Sequence, residues 1–151
     1  MSECQAAYVA DCAVDLRLSV CIGVVEALTE LQARGAVLAV VTGNLSEIGW
    51  RKLELAGLRP YFSTGAFAED GRTRTRVARV AVRRAIKNQL AGKNSRISLV
   101  GDHANDIEAA KRNGFQSIAV ATGLSSIEEL AASQPDVLVA DLTQLDLRRL
   151  L

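Results

Sequence analysis

The stretch Ile97-Ser98-Leu99-Val100-Gly101-Asp102-His103-Ala104-Asn105-Asp106 decides how the rest of the chain is read. Its apolar-leaning run into Gly-Asp has the pattern of a buried parallel strand, and a helix from Asp106 to Asn113 follows until Gly114 stops it. Asp102 then stands at the carboxyl end of a strand, the edge of an open α/β sheet where ligands bind. Asp102 and Asp106 set two carboxylates four residues apart. Carboxylate oxygens suit Mg²⁺, which takes one or two of them and completes its shell with water and substrate phosphate oxygens. Capping of the helix is the competing reading for Asp106.

Working outward, short β-branched runs alternate with helical stretches from residue 22 onward, the order that builds a mostly parallel sheet covered on both faces. The expected fold is α/β, a Rossmann-like three-layer α/β/α sandwich. Helices are expected over Val24 to Arg34, Leu45 to Ala56 and Val77 to Leu90, the last with an apolar stripe of Ala78, Val82, Ala85, Ile86 and Leu90. Strands are expected over Ala36 to Val41, Ile97 to Val100, Ser117 to Val120 and Val137 to Ala140, with an edge strand around Tyr61 and Phe62. Ser126-x-x-Glu129 is a capping box that opens another helix, which ends before Pro135. Residues 1 to 21 differ in kind: Val9, Cys12, Ala13, Leu16 and Val20 recur at helical spacing, with Asp11 and Asp15 on the opposite face. They read as an amphipathic helix preceding the sheet, and the two aspartates as solvated charges.

Composition narrows the function classes. With 151 residues, 49% hydrophobic and 23% charged, the chain fits one ordinary globular domain. A net charge of +1 gives no global attraction to nucleic acid or to an anionic membrane, and no apolar run approaches the roughly 18 residues that span a bilayer. Met1 to Gln5 holds no basic segment leading into an apolar one, so no secretory signal is expected and a cytoplasmic location follows as the default. Cys4, Cys12 and Cys21 have neither disulfide nor zinc spacing and read as idle thiols.

Two further stretches carry chemistry. In Val40-Val41-Thr42-Gly43-Asn44 a buried strand ends in a hydroxyl, a glycine and an amide, and the next helix points its free amides at the same space. That is an anion-binding geometry, with capping by Asn44 or Ser46 as the plainer alternative. From Gly71 to Gly101 there are nine Lys or Arg residues and no Asp or Glu. No aromatic residue is interleaved for base stacking, which argues against nucleic acid. A guanidinium that neutralises a phosphoryl group beside a Mg²⁺ site is the more economical reading for one of Arg72, Arg74 and Arg76.

In this order the three sites resemble the later motifs of the haloacid dehalogenase superfamily of phosphohydrolases, over residues 22 to 142. Val41-Thr42-Gly43-Asn44 resembles the second motif, the basic loop the third, and Gly101-Asp102-x-x-x-Asp106 the acidic Mg²⁺ motif, about sixty residues beyond Thr42. The line Gly23-Val24-Val25-Glu26-Ala27-Leu28 is closest to the phosphoglycolate-phosphatase-like members. The resemblance implies that Thr42, Gly43 and Asn44 bind phosphate, that Arg74 is the catalytic cation, and that Asp102 ligates Mg²⁺ with Asp106 in support. It also implies a small phosphorylated metabolite as substrate.

The family's first motif, an Asp-x-Asp at the end of a central strand, has no counterpart here. Residues 1 to 21 then look like the tail of a cap, residues 22 to 151 like the core, and the chain like the C-terminal portion of a larger enzyme. Without the central strand the sheet is expected to be incomplete and to leave unpaired edges, to be filled by residues 6 to 14, by closure of the half-sheets, by a second copy or by a partner chain. The leading expectation is a Mg²⁺-dependent phosphatase domain, inactive or fragmentary as it stands. The alternative is a non-catalytic phosphate- or partner-binding module, or one half of a split phosphatase. A dinucleotide-binding domain is disfavoured, because no Gly-x-Gly-x-x-Gly follows a strand.

Overall fold

The computed structural model describes residues 15–123 and 125–150. The elements alternate as expected: α1 (Val24–Ala33), β1 (Ala39–Val41), α2 (Ser46–Leu55), β2 (Thr64–Ala66), α3 (Arg74–Lys87), β3 (Ser98–Gly101), α4 (Ala104–Asn113), β4 (Gln116–Val120), α5 (Ile127–Ala132) and β5 (Val137–Val139). All strand pairs are parallel, but the sheet is in two pieces. One piece is β1-β2 and the other β3-β4-β5. Helix α3 packs on both strands of the first piece, α4 on β3 and β4 of the second, and α3 lies against α4. The incomplete sheet that the sequence implies is therefore present, split between β1 and β3.

Local chemistry explains most boundaries. Gly114 takes φ +69° and closes α4, a conformation that costs a residue with a Cβ more. Ser126 and Glu129 form the capping box at α5 with both bonds made. Thr73 accepts the Arg76 amide at 3.3 Å, so α3 starts at Arg74, three residues before the expected Val77. Its buried face is Val77, Ala78, Ala81 and Ala85 rather than the stripe through Val82, Ile86 and Leu90. Gln89 adopts φ +57° just past the helix, and Leu90 is left 37% exposed outside it.

Two expectations fail. No edge strand forms at Tyr61 and Phe62: Arg59–Tyr61 is a 3₁₀ turn with Pro60 near its start, and the strand is Thr64–Ala66. A Cβ on Gly65 would stand 3.1 Å from both Val40 and the Phe67 ring, so the middle of this strand has no side chain, and Thr64 is its one β-branched residue. The second failure lies before α1. Where the amphipathic helix was to continue, the described part of residues 1 to 21 holds only the 3₁₀ turn Arg17–Ser19; residues 1 to 14 lie outside the described residues.

The core is uneven. Ile118, Val120, Val137 and Leu145 form one cluster and Ile107, Ala119 and Leu130 a second, both on the three-stranded piece. The two-stranded piece is packed by Ala66, Val77 and Ala81. It gains a polar clamp instead. Arg84 on α3 donates to the Gly65 carbonyl at 2.8 Å and to Asp70 Oδ2 at 2.7 Å. Those bonds hold the Asp70 carboxyl below its ordinary value, against partial burial and with help from the Phe67 amide.

A carboxyl lowered in the folded state adds stability above its unfolded pKa and loses it as pH falls through the lowered folded value. Asp70→Asn is therefore expected to cost about 1–2 kcal/mol at neutral pH and to flatten the acid limb of the stability curve. Urea titrations at neutral and acid pH measure this, and an unchanged acid limb would refute it. Among the described residues no helix is long and apolar enough to cross a membrane.

Candidate functional site

The carboxyl ends of β1 and β3 open onto the same space. At the first, Thr42 Oγ1 accepts from the Asn44 amide at 3.2 Å and from Asn44 Nδ2 at 3.1 Å. The hydroxyl hydrogen is then the donor that Thr42 presents. Helix α2 can begin close behind it because Gly49 has no side chain: a Cβ there would press on the Phe67 ring at 2.8 Å and meet Thr42 Cγ2 at 3.4 Å. Lys52, one turn further along α2, reaches Asn44 Oδ1 at 3.5 Å, a cation that the sequence reading did not single out.

The free helix amides expected beside Thr42 are partly taken. Ser46 N donates to Glu69 Oε1 at 3.1 Å and to Oε2 at 3.3 Å, so a carboxylate already sits at the amino end of α2. Slight burial works to raise the Glu69 carboxyl, yet the bonds from Ser46 and from its own backbone amide leave it below its ordinary value. Neither Asn44 nor Ser46 caps α2 with its side chain. Sequence periodicity carries no sign of Glu69, which comes from a turn twenty-three residues away.

At the second strand end, Asp102 is exposed and Asp106 is in the first turn of α4. The helix cap is His103, whose Nδ1 accepts the Asn105 amide at 3.1 Å, so Asp106 is not spent on capping. Its side chain is only 11% exposed and pairs with Arg74, Nε to Oδ1 at 2.9 Å. Burial raises the Asp106 carboxyl above its ordinary value; Arg74 opposes that rise, and the charge of Asp102 adds to it.

Of the three candidate arginines, Arg74 faces this space, while Arg72 and Arg76 are exposed. Its Nη1 also donates to the Val41 carbonyl at 3.3 Å. One guanidinium thus joins the residue before Thr42 to the carboxylate after Asp102. Asp15 is not part of this cluster: Leu16 N bonds Leu55 O at the far end of α2, and Asp15 itself receives the Arg17 amide at 3.0 Å. Asp11 lies outside the described residues.

Comparison with known proteins gives this arrangement a family. The haloacid dehalogenase-like hydrolase family matches residues 4–120. The chain belongs to the haloacid dehalogenase-like hydrolases. Within that family it is similar to the phosphoglycolate phosphatase of Vibrio parahaemolyticus, 32% identical over 120 residues that cover 80% of this chain and 52% of that protein. The phosphoglycolate phosphatase of Escherichia coli K12 is 31% identical over 126 residues, 81% of this chain and 48% of that one. The chain thus spans about half the length of the curated relatives it matches. A crystal structure from Clostridium difficile superposes with a TM-score of 0.75 at 26% identity, over 97% of this chain and 66% of that one. A predicted phosphoglycolate phosphatase from Haemophilus somnus superposes with a TM-score of 0.67 at 28% identity, over 80% and 53%.

Two glycines shape the acidic end of this space. A Cβ on Gly101 would collide with Asp106 Cβ, and one on Gly123, in the loop after β4, with the Asp102 carboxylate. Among the described residues no three His, Cys, Asp or Glu side chains gather, and just past the end of β3 the carboxylates are the Asp102 and Asp106 pair. Two carboxylates suit Mg²⁺, and a cation beside Asp106 would offset the burial of its charge.

Gly123→Ala is expected to displace the Asp102 carboxylate, a flexible group, and to weaken Mg²⁺ binding by about tenfold with little change in stability. Gly101→Ala presses on the stem of Asp106 and is expected to destabilise the fold as well. Calorimetric titration with Mg²⁺ and urea unfolding of both variants separate the two effects; equal loss of stability would refute the distinction.

Proposed function

We propose that this chain is the phosphate- and Mg²⁺-binding core of a haloacid-dehalogenase-type phosphatase for a small phosphate monoester. The observation that carries the reading is the position of Arg74 between Val41 and Asp106, which draws the three stretches of sequence into one space. Thr42, Gly43 and Asn44 hold the phosphoryl oxygens, through the Thr42 hydroxyl and the backbone that Gly43 leaves accessible. Arg74 neutralises their charge and keeps Asp106 in place. Asp102 ligates Mg²⁺ with Asp106 in support. When bound, Mg²⁺ supplies charge that offsets the phosphate dianion. The names of the relatives support a small phosphorylated substrate. Residues 22 to 151 are the core in this proposal, and residues 1 to 21 the remnant of a cap.

A specific observation favours a second reading. Among the described residues the carboxylates at the shared end of β1 and β3 are Asp102, Asp106 and Glu69; Asp106 pairs with Arg74 and Glu69 holds the Ser46 amide, and none belongs to an Asp-x-Asp pair. On that reading the chain binds phosphate without turnover, or a partner chain or a second copy completes the sheet and the reaction.

The test is hydrolysis of an aryl phosphate with and without Mg²⁺, alongside calorimetric titration with Mg²⁺ and inorganic phosphate. Asp102→Asn is expected to lose Mg²⁺ binding while remaining folded. Turnover that the variant loses supports the phosphatase; binding without turnover supports the second reading. No Mg²⁺ or phosphate binding by the folded chain refutes both.

A further inference from the structure

Half of the chain's cations sit in one place. Nine of the eighteen Lys and Arg residues lie between Gly71 and Gly101, with none of the seventeen Asp and Glu. Of those on α3, Arg74 is taken by Asp106 and Arg84 by Asp70 and the Gly65 carbonyl. Arg76, Arg79, Arg83 and Lys87 are left, and all four are exposed. Their spacing of three, four and four residues sets them in a row along one face of the helix, about 16 Å long. The opposite face holds Val77, Ala78, Ala81 and Ala85 against the sheet.

The row works against the helix that carries it. Arg79 and Arg83, and again Arg83 and Lys87, stand four residues apart, where like charges weaken a helix. It begins in the first turn of α3, where the helix dipole favours acidic side chains and none is present. Among the described residues no carboxylate forms an ion pair with any of the four. Two of them are nevertheless held in place. Arg79 Nε donates to Asn113 Oδ1 at 2.9 Å, and Asn113 is itself fixed by bonds from its Nδ2 to the Thr75 and Ala109 carbonyls. The stem of Arg76 lies over Gly71, where a Cβ would meet its Cγ at 2.7 Å. Part of the ordering that binding demands is therefore already done.

We propose that this row is a docking face for an acidic helix of a partner protein. A helix whose carboxylates repeat at the same three, four and four residues meets all four cations in register, and each guanidinium can take a carboxylate with two bonds. An extended segment fits less well: its same-side residues are about 6.7 Å apart, so it overruns the row by about 4 Å in three steps. A second copy has no such row to offer. Glu30, Glu54 and Glu108 are each answered by an arginine close by in their own segment, and Glu129 by the Ser126 amide. Nucleic acid would lack rings to stack on, since residues 71 to 101 hold no aromatic side chain. Basic helices that bind membranes bury an apolar face in the lipid, and that face of α3 is already on the sheet. Arg74, two residues before Arg76, is on the inward side of the helix, so the docked partner leaves the space beside Thr42 uncovered.

Fluorescence anisotropy of a labelled alanine-based helical peptide, with four glutamates at that spacing, tests the face. The full chain is expected to bind it, with an affinity that falls about tenfold between about 50 and 200 mM salt. A peptide of the same composition with its glutamates spread around the helix is expected to bind at least about fivefold more weakly. Arg83→Glu places a carboxylate four residues from both Arg79 and Lys87, so it is expected to raise the urea midpoint while weakening peptide binding about tenfold. Binding lost by a more stable variant does not come from misfolding. Arg34→Glu, the same change of charge at the end of α1, is expected to leave binding within about twofold. The proposal is overturned by a peptide that does not bind, by equal binding of the two peptides, or by unchanged binding in Arg83→Glu. Tighter binding of a short oligothymidylate or of phosphatidylserine vesicles at the same salt overturns it as well.

Discussion

Arg74→Ala is expected to remove phosphate binding and to lower stability by about 1–3 kcal/mol. The side chain is 30% exposed and its partner Asp106 is 11% exposed, so the pair is neither a solvated surface bridge nor a sealed one. Deleting the guanidinium strands the Asp106 carboxylate in a place where burial already favours its neutral form. The carboxyl can respond by taking up a proton, which caps the cost. Arg74→Lys keeps the charge, but its donors all sit on one nitrogen where the guanidinium spreads Nε and Nη1 to Asp106 and Val41, and it is expected to recover only part of either loss. Urea unfolding and phosphate titration of Arg74→Ala, Asp106→Asn and the double variant separate the pair from the site. Additive losses of stability would sink the idea that the two side chains act as a unit.

Leu130→Ala is expected to cost more, about 2–5 kcal/mol. Leu130 is fully buried on α5 and packs against Ile107 and Ala119. Ile107 follows Asp106 in α4, so a cavity at Leu130 removes support from beneath the acidic turn. Against a total stability of about 5–15 kcal/mol such a loss is large. Ile127→Ala on the same helix removes a side chain 46% exposed and is expected to change stability by less than about 0.5 kcal/mol. Thermal and urea unfolding of both variants check the contrast; similar losses would mean that α5 is held by something other than this contact.

What the residues declared in advance follows a physical division. Boundaries set by local backbone chemistry were legible: Gly114 ending α4, the Ser126–Glu129 box opening α5, and the strand–loop–helix around Asp102. Elements set by what they pack against were not. In β2, Phe67 and Val40 leave no space for a side chain at Gly65, and in isolation Thr-Gly-Ala reads as a loop. The face of α3 came out differently because Val77, Ala78, Ala81 and Ala85 are chosen by proximity to the sheet, not by bulk. At the site, Thr42, Asn44, Asp102 and Asp106 were visible as strand-end polar residues. The choice among Arg72, Arg74 and Arg76 needed the phase of a helix whose start, fixed by Thr73, was misplaced. Glu69 and Lys52 enter through turns of tertiary structure, and nothing in their local sequence points to them.

The uneven core has a consequence for how the molecule comes apart. The half that carries Asp102 rests on isoleucine, valine and leucine, while the half that carries Thr42 rests on small residues, Ala66, Val77 and Ala81, with Val41, Val80 and Phe67 around them and the Arg84 clamp. The two are expected to open as units of unequal strength, joined along the seam where α3 lies on α4. Partial opening is then expected to begin on the side with the smaller core, where a protease would meet the segment around Thr42 to Asp70 first, while the acidic loop is still folded.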